Sequence, residues 1–109
     1  MNNKVGLIDI GSFGNIVSIS RAVDAAGGRV KVVNSPKEIQ DCSRIILPGV
    51  GAFKPTMDIL RNEGWINHIK DFASVNPILG ICLGMQIMAE IGYEFGESDG
   101  LKLIKGEVK

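Results

Sequence analysis

Cysteine is scarce in this chain. Cys42 and Cys82 are the whole complement among 109 residues, too few for a disulfide framework. Cys42 precedes a strand-like run and reads as a small apolar filler. Histidine is scarcer still: only His68 occurs, and no spacing of Cys, His, Asp and Glu fits a metal site, so no metal is expected. Charge of one sign is missing too. Twelve basic and twelve acidic residues give a formal net charge of zero, which argues against a nucleic-acid or membrane-surface partner. A charge near zero leaves association through a shared surface open. No apolar run approaches the ~18–20 residues that span a bilayer. Met1-Asn2-Asn3-Lys4 leads directly into a strand-like run without a signal peptide, so the expected location is cytoplasmic. The phosphate-cradling GxGxxG and P-loop patterns do not occur, and no cofactor is expected. No repeats, linkers or low-complexity stretches break the chain.

What the sequence does have is 45% hydrophobic residues in short runs, which points to a globular domain. Val5–Ile8, Val30–Val33, Arg44–Leu47 and Pro77–Ile81 read as strands. Ile16, Ile19, Val23 and Ala26 fall at helical spacing after Asn15, a candidate N-cap, and Gly27-Gly28 ends that helix. Ser35 with Pro36 opens a short helix. Pro55–Asn62 and Trp65–Ser74 read as helices, as does Leu83–Ile91, which turns Leu83, Ile87 and Met88 toward a sheet. Leu101–Ile104 could open a further strand. Strands alternating with helices predict an α/β fold, doubly wound, with a mainly parallel sheet covered on both faces and its later strands absent.

The chemistry concentrates at Gly80-Ile81-Cys82-Leu83-Gly84-Met85-Gln86. A nucleophile flanked by glycines two positions away, where a strand meets a helix, is the form of a nucleophile elbow. Side chains at the glycine positions would crowd the turn. The helix N-terminus behind Cys82 favours the thiolate, the competent nucleophile. The plainer alternative is a buried cysteine in a glycine-flanked turn. Pro48-Gly49-Val50-Gly51 follows the third strand, at the C-terminal sheet edge where open α/β folds bind ligands. Its amides, with the N–H of Leu83, could receive a developing oxyanion. Taken alone, that loop is equally an ordinary glycine-rich turn.

Together, Leu47–Phe53 and Gly80–Gln86 resemble the class I (triad) glutamine amidotransferases. Within that class the chain is most similar to the glutaminase subunits of imidazole glycerol phosphate synthase. The opening, Asp9 to Asn15, and the closing Gly100–Gly106 carry the same likeness. The resemblance implies that residues 1–109 are the N-terminal part of one amidotransferase domain of flavodoxin-like form. It also implies that Cys82 attacks the side-chain amide of glutamine, releasing ammonia to a (β/α)8-barrel cyclase or synthase partner in a heterodimer of histidine biosynthesis. Gly49, Val50, Gly51 and Leu83 then match the oxyanion hole, whose loop needs a backbone rearrangement to become productive. Gln86 and Glu94 match the positions that hold the substrate. A carboxylate at Glu94 suits the substrate's α-ammonium, and the Gln86 amide can donate or accept. Without the resemblance, both would pass as solvated surface residues.

Two departures stand out. The family's general-base histidine and its orienting glutamate have no counterpart in this chain. His68 falls on a helix away from the elbow and carries no catalytic expectation. The first loop, Asp9-Ile10-Gly11-Ser12-Phe13-Gly14-Asn15, is one residue longer than the family's usual form. The other readings are a glutaminase serving an amidine-forming synthase of surface-polysaccharide pathways, a thiol hydrolase or chaperone-like protein of similar fold, and a non-catalytic module that binds a barrel partner.

Overall fold

The computed structural model describes residues 4–11, 15–94 and 96–109, with Asn15 described by its backbone alone. Strand β1 (Lys4–Ile8) is central and pairs in parallel with β2 (Arg29–Val33) on one side and β3 (Arg44–Leu47) on the other. Strand β4 (Ile78–Gly80) adds in parallel beyond β3, giving the order β2-β1-β3-β4. The register sets Ile45 beside Ile78, Ile46 beside Leu79 and Leu47 beside Gly80. Alternation along the strands then sorts the side chains onto two faces.

On one face, Ile8, Val33, Ile45 and Leu47 enter the larger core. Helices α2 (Phe53–Asn62) and α3 (Trp65–Ala73) cover this face with Phe53, Met57, Leu60, Trp65, Ile69 and Phe72, and a 3₁₀ helix at Pro36–Asp41 adds Ile39. Trp65 is fully buried, and its indole N–H donates to the Glu63 carboxylate at 3.1 Å, so the burial leaves no orphan donor. On the other face, Val5, Leu7 and Ile46 meet Ile16, Ile19 and Val23 of α1 (Asn15–Ala25). These sides follow from handedness. A leftward step from β1 to β2 and rightward steps to β3 and β4 place right-handed crossovers on opposite faces. Cys42 is buried just ahead of β3, as expected for a filler. Its Sγ sits where a Cβ on Gly6 would approach to 2.7 Å, so a glycine in β1 is what admits it.

Three local readings need correction. Pro36–Asp41 is a 3₁₀ helix, and Ser35 makes no capping bond to it, its hydroxyl instead donating to Glu38 Oε1 at 3.0 Å. The helix after Cys82 is α4 (Leu83–Gln86), four residues long, and stops well before Ile91. The carbonyls that would carry it onward are taken by the tail: Leu101 N–H donates to Ile87 at 2.7 Å, Leu103 N–H to Met88 at 2.9 Å, Lys102 N–H to Ala89 at 3.1 Å and Gly100 N–H to Glu90 at 2.8 Å. Leu101–Ile104 accordingly forms no strand. A small second sheet is built instead from β5 (Ile91–Gly92), with β6 (Ser98–Asp99) antiparallel to it and β7 (Glu107–Val108) parallel. Asn15 is the first residue of α1, and the Ser12–Gly14 part of the lengthened loop lies outside the described residues.

Candidate active site

Strand β4 delivers the chain into a strained turn at Cys82. Its backbone lies at φ 54° and ψ −121°, a region that non-glycine residues rarely enter and that costs on the order of 1–3 kcal/mol. The turn leaves Cys82 exposed at the C-terminal edge of the sheet, while Leu83 and Ile87 on either flank of α4 are buried. The glycines make this possible. A Cβ on Gly84 would collide with the Leu47 carbonyl, and one on Gly80 would lie 2.7 Å from the Met85 Cα. The helix behind Cys82 is one turn long, so the macrodipole invoked from the sequence is correspondingly small.

The Pro48–Gly51 loop lies against this elbow. A Cβ on Gly49 would approach the Leu83 Cβ to 3.1 Å and the Gly84 nitrogen to 3.2 Å, so a side chain there would press the loop and the elbow apart by a few tenths of an ångström. Ile81 N–H donates to the Leu47 carbonyl at 3.0 Å, and Leu83 N–H donates to the Gly49 carbonyl at 3.2 Å. As the molecule stands, the Leu83 amide is occupied by a carbonyl oxygen of the loop expected to help form the oxyanion hole. Receiving a substrate oxyanion there requires the Gly49 carbonyl to turn away. Gly51, at φ 111°, supplies a hinge with that freedom, and Val50 between them is exposed.

Gln86 and Glu94 converge. Both line a cavity of about 250 Å³ together with Phe53, Tyr93, Val108 and Lys109. Gln86 sits one turn along from Cys82, its N–H donating to the Cys82 carbonyl at 3.1 Å. The Glu94 carboxylate accepts the N–H of Phe53, the first residue of α2, at 3.0 Å, so it also caps that helix. Phe53 is the residue that sequence reasoning passed over. It stands at the end of the Leu47–Phe53 motif, 1% exposed, with its ring pressed on the backbone of Gly92. Its contact with a glycine about forty positions onward was the missing signal. Partial desolvation, and then the neighbouring Glu107 carboxylate, raise the Tyr93 phenol above its ordinary value, and its hydroxyl donates to Glu107 Oε1 at 3.2 Å.

His68 lies elsewhere. It borders a separate cavity with Cys42, Gln40, Asp71 and Asn76. Cys42 and Asn76 precede β3 and β4, which sets that cavity at the strands' N-terminal edge, opposite Cys82. Among the described residues, no cluster of three or more His, Cys, Asp and Glu side chains could hold a metal, and no helix is long and apolar enough to cross a membrane.

An exposed cysteine on a strained strand-to-helix turn, flanked by a glycine loop at the C-terminal edge of a parallel sheet, is consistent with the thiol-amidotransferase class that the motifs resemble. The family model "Glutamine amidotransferase class-I" matches residues 7–105, and the chain belongs to that family. Relatives named imidazole glycerol phosphate synthase subunit HisH are 46% identical over 105 residues in Sulfurimonas denitrificans and 47% identical over 105 residues in Desulfitobacterium hafniense strain DCB-2, in each case across 95% of this chain. The chain spans about half their length, 50% and 49% respectively. Among solved structures, a glutamine amidotransferase superposes with a TM-score of 0.74 at 19% identity, over 89% of this chain and 51% of the other. A peptidase E protein of Listeria monocytogenes EGD-e superposes with a TM-score of 0.77 at 16% identity, over 94% of this chain and 63% of the other. These two likenesses bear on the fold.

Proposed function

We propose that this chain is the nucleophile-bearing and glutamine-binding part of a glutaminase that supplies ammonia to a (β/α)8-barrel synthase forming imidazole glycerol phosphate, in a cytoplasmic heterodimer. The observation that supports this reading is an exposed, conformationally strained Cys82 one helical turn from Gln86, which lines a cavity with Glu94, although Cys82 itself is not part of that lining. In this mechanism the Cys82 sulfur attacks the side-chain amide carbon of glutamine. The carbonyl becomes an oxyanion, received by the Leu83 N–H and the Gly49–Gly51 backbone once the Gly49 carbonyl has turned. The C–N bond breaks, the nitrogen takes a proton and leaves as ammonia, and water hydrolyses the thioester to glutamate and free thiol. Glu94 pairs with the substrate's α-ammonium, and Gln86 bonds its carboxylate or amine. The HisH names of the relatives and the match across nearly the whole chain support the synthase partner.

General-base assistance contributes about 10²–10⁴-fold to such a step. The single histidine stands at the opposite sheet edge, so this chain brings no imidazole to Cys82. Binding and alkylation are therefore its competences in isolation, and steady ammonia release from glutamine by the purified chain would contradict the mechanism. The decisive test is a diazo-ketone analogue of glutamine, with the adduct located by mass spectrometry. Labelling at Cys82 that free glutamine suppresses supports the reading. Labelling that ignores glutamine reduces Cys82 to a generic thiol.

A further inference from the structure

The cavity lined by Gln86 and Glu94 is a seam between two bodies. Tyr93, Glu94, Val108 and Lys109 come from the small second sheet and the residues just after its strands, whereas Phe53 begins α2 and Gln86 ends α4. The second sheet is tied to itself beyond its strand pairing: Tyr93 N–H donates to the Val108 carbonyl at 3.0 Å, and Gly106 N–H to the Glu90 carboxylate at 3.1 Å. The tail amides at 100–103 tie it to the segment that follows the elbow helix. Phe53 ties it to the Pro48–Gly51 loop. Its ring lies against two glycines of the second sheet. A Cβ on Gly92 would stand 2.6 Å from Cγ, Cδ1 and Cδ2 of the ring, and one on Gly100 would stand 3.0 Å from Cζ. Its N–H donates to Glu94 at 3.0 Å, and the residue stands two positions after Gly51.

The loop is thus held at three points. Ile81 N–H holds its entry at Leu47, Leu83 N–H holds Gly49, and the buried Phe53 holds its exit. Turning the Gly49 carbonyl away breaks the middle hold. A loop that swings about Gly51 keeps its alignment only if the chain beyond the hinge stays fixed, and Phe53 is that fixed point. The same residue fixes Glu94 through its amide. We infer that Phe53 is a positioning residue for the glutaminase reaction. Its ring and amide keep the wall bearing Glu94 in register with the loop bearing Gly49–Gly51, so that a substrate paired at Glu94 presents its amide carbon to Cys82 and its carbonyl oxygen to the loop. The assignment rests on the glutaminase reading of the site. Displacing reacting groups by about 1 Å costs on the order of 10²-fold in rate, so a change of packing at Phe53 reaches the chemistry through Glu94 and the loop.

The test exchanges size across the seam. Phe53→Leu keeps the amide and an apolar side chain but withdraws the ring from Gly92. Gly92→Ala pushes a methyl into the ring, at a glycine outside the left-handed region, where alanine is conformationally allowed. In the double variant the methyl occupies the space the ring gives up. For each variant, the saturating rate of Cys82 labelling by the diazo-ketone analogue of glutamine is divided by its rate with iodoacetamide, which needs neither the wall nor the oxyanion loop. Urea curves fix conditions in which every variant is folded. Each single variant should lose at least roughly tenfold in that ratio, and the double variant should recover most of the loss. Phe72→Leu, at a buried phenylalanine of the same core bordering the cavity of His68, should lower stability and leave the ratio unchanged. If Gly92→Ala does not fold, the comparison of Phe53→Leu with Phe72→Leu decides, and Phe53→Met takes the place of a Phe53→Leu that does not fold. An unchanged ratio in the folded Phe53 variant, an equal fall with Phe72→Leu, or no recovery in a folded double variant would each overturn the inference. Wild-type labelling that glutamine fails to suppress would remove the glutaminase reading itself, whereas suppression in the wild type with unchanged variants would remove only the role of Phe53.

Discussion

Cys82 and Cys42 show how far one residue type can diverge within a single sheet. Cys82 is exposed at the C-terminal edge, and Cys42 is buried against Gly6 near the N-terminal edge. Burial pushes the Cys42 thiol above its ordinary value of 9.0. Iodoacetamide at neutral pH should therefore modify Cys82 and spare Cys42 until the chain unfolds, which peptide mapping across a urea series will read. The sign of the linkage follows. A raised folded-state value means that the native thiol holds its proton more tightly than the unfolded one, so its stabilising effect is present at neutral pH and is lost as pH rises from the ordinary thiol value through the raised one. Replacing Cys42 by Ala should flatten that alkaline decline in urea midpoints. The glycines are less forgiving. Gly84→Ala drives a methyl into the Leu47 carbonyl, and a loss of about 3 kcal/mol or more is expected from equilibrium unfolding.

Element boundaries decide where the cavity lined by Gln86 and Glu94 forms. Were α4 to run on to Ile91, the β5 strand and the turn bearing Glu94 could not form as they do. The tail amides at 100–103 prevent that by taking the carbonyls of Ile87–Glu90. Glu94 then reaches the first amide of α2, immediately after the Pro48–Gly51 loop. Glu94→Ala should cost about 1 kcal/mol as a lost helix cap and also abolish protection of Cys82 by glutamine. Glu94→Gln keeps an acceptor for Phe53 N–H but not the charge, so it should retain most stability while losing the protection. Denaturant curves and competition labelling separate the two roles. Phe53→Ala removes the buried ring that joins α2 to Gly92, and a loss of about 3–5 kcal/mol is expected by the same unfolding measurement.

At the scale of the molecule, the four parallel strands work as a platform with one working edge. Both loops of interest leave the C-terminal ends of neighbouring strands, β3 and β4, which brings residues about thirty positions apart in sequence into backbone contact. The Gly49 carbonyl and the Leu83 amide are bonded at rest, so in the proposed mechanism the oxyanion site would be assembled only after the loop rearranges. A Gly51→Ala substitution at φ 111° should hinder that movement. The expected outcome is slower labelling of Cys82 by the diazo-ketone while labelling by iodoacetamide, which needs no oxyanion support, is unchanged.

The strands, the parallel α/β class and the elbow at Cys82 were legible because each is written in short-range pattern: apolar runs, helical spacing, and glycines two positions from a nucleophile. The closeness of Pro48–Gly51 to Cys82 was legible at one remove, since successive strands of a parallel sheet end at the same edge. The short α4, the small second sheet and the bond between Glu94 and Phe53 were not. Each is settled by hydrogen bonds between segments far apart in the chain, where a tail amide competes with a helix amide for the same carbonyl, and local propensity carries no record of that competition. The sequence by itself determined which residues could act and which strands would carry them. Only the tertiary structure decided where the chain would stop being helical, and so where the walls of the cavity would stand.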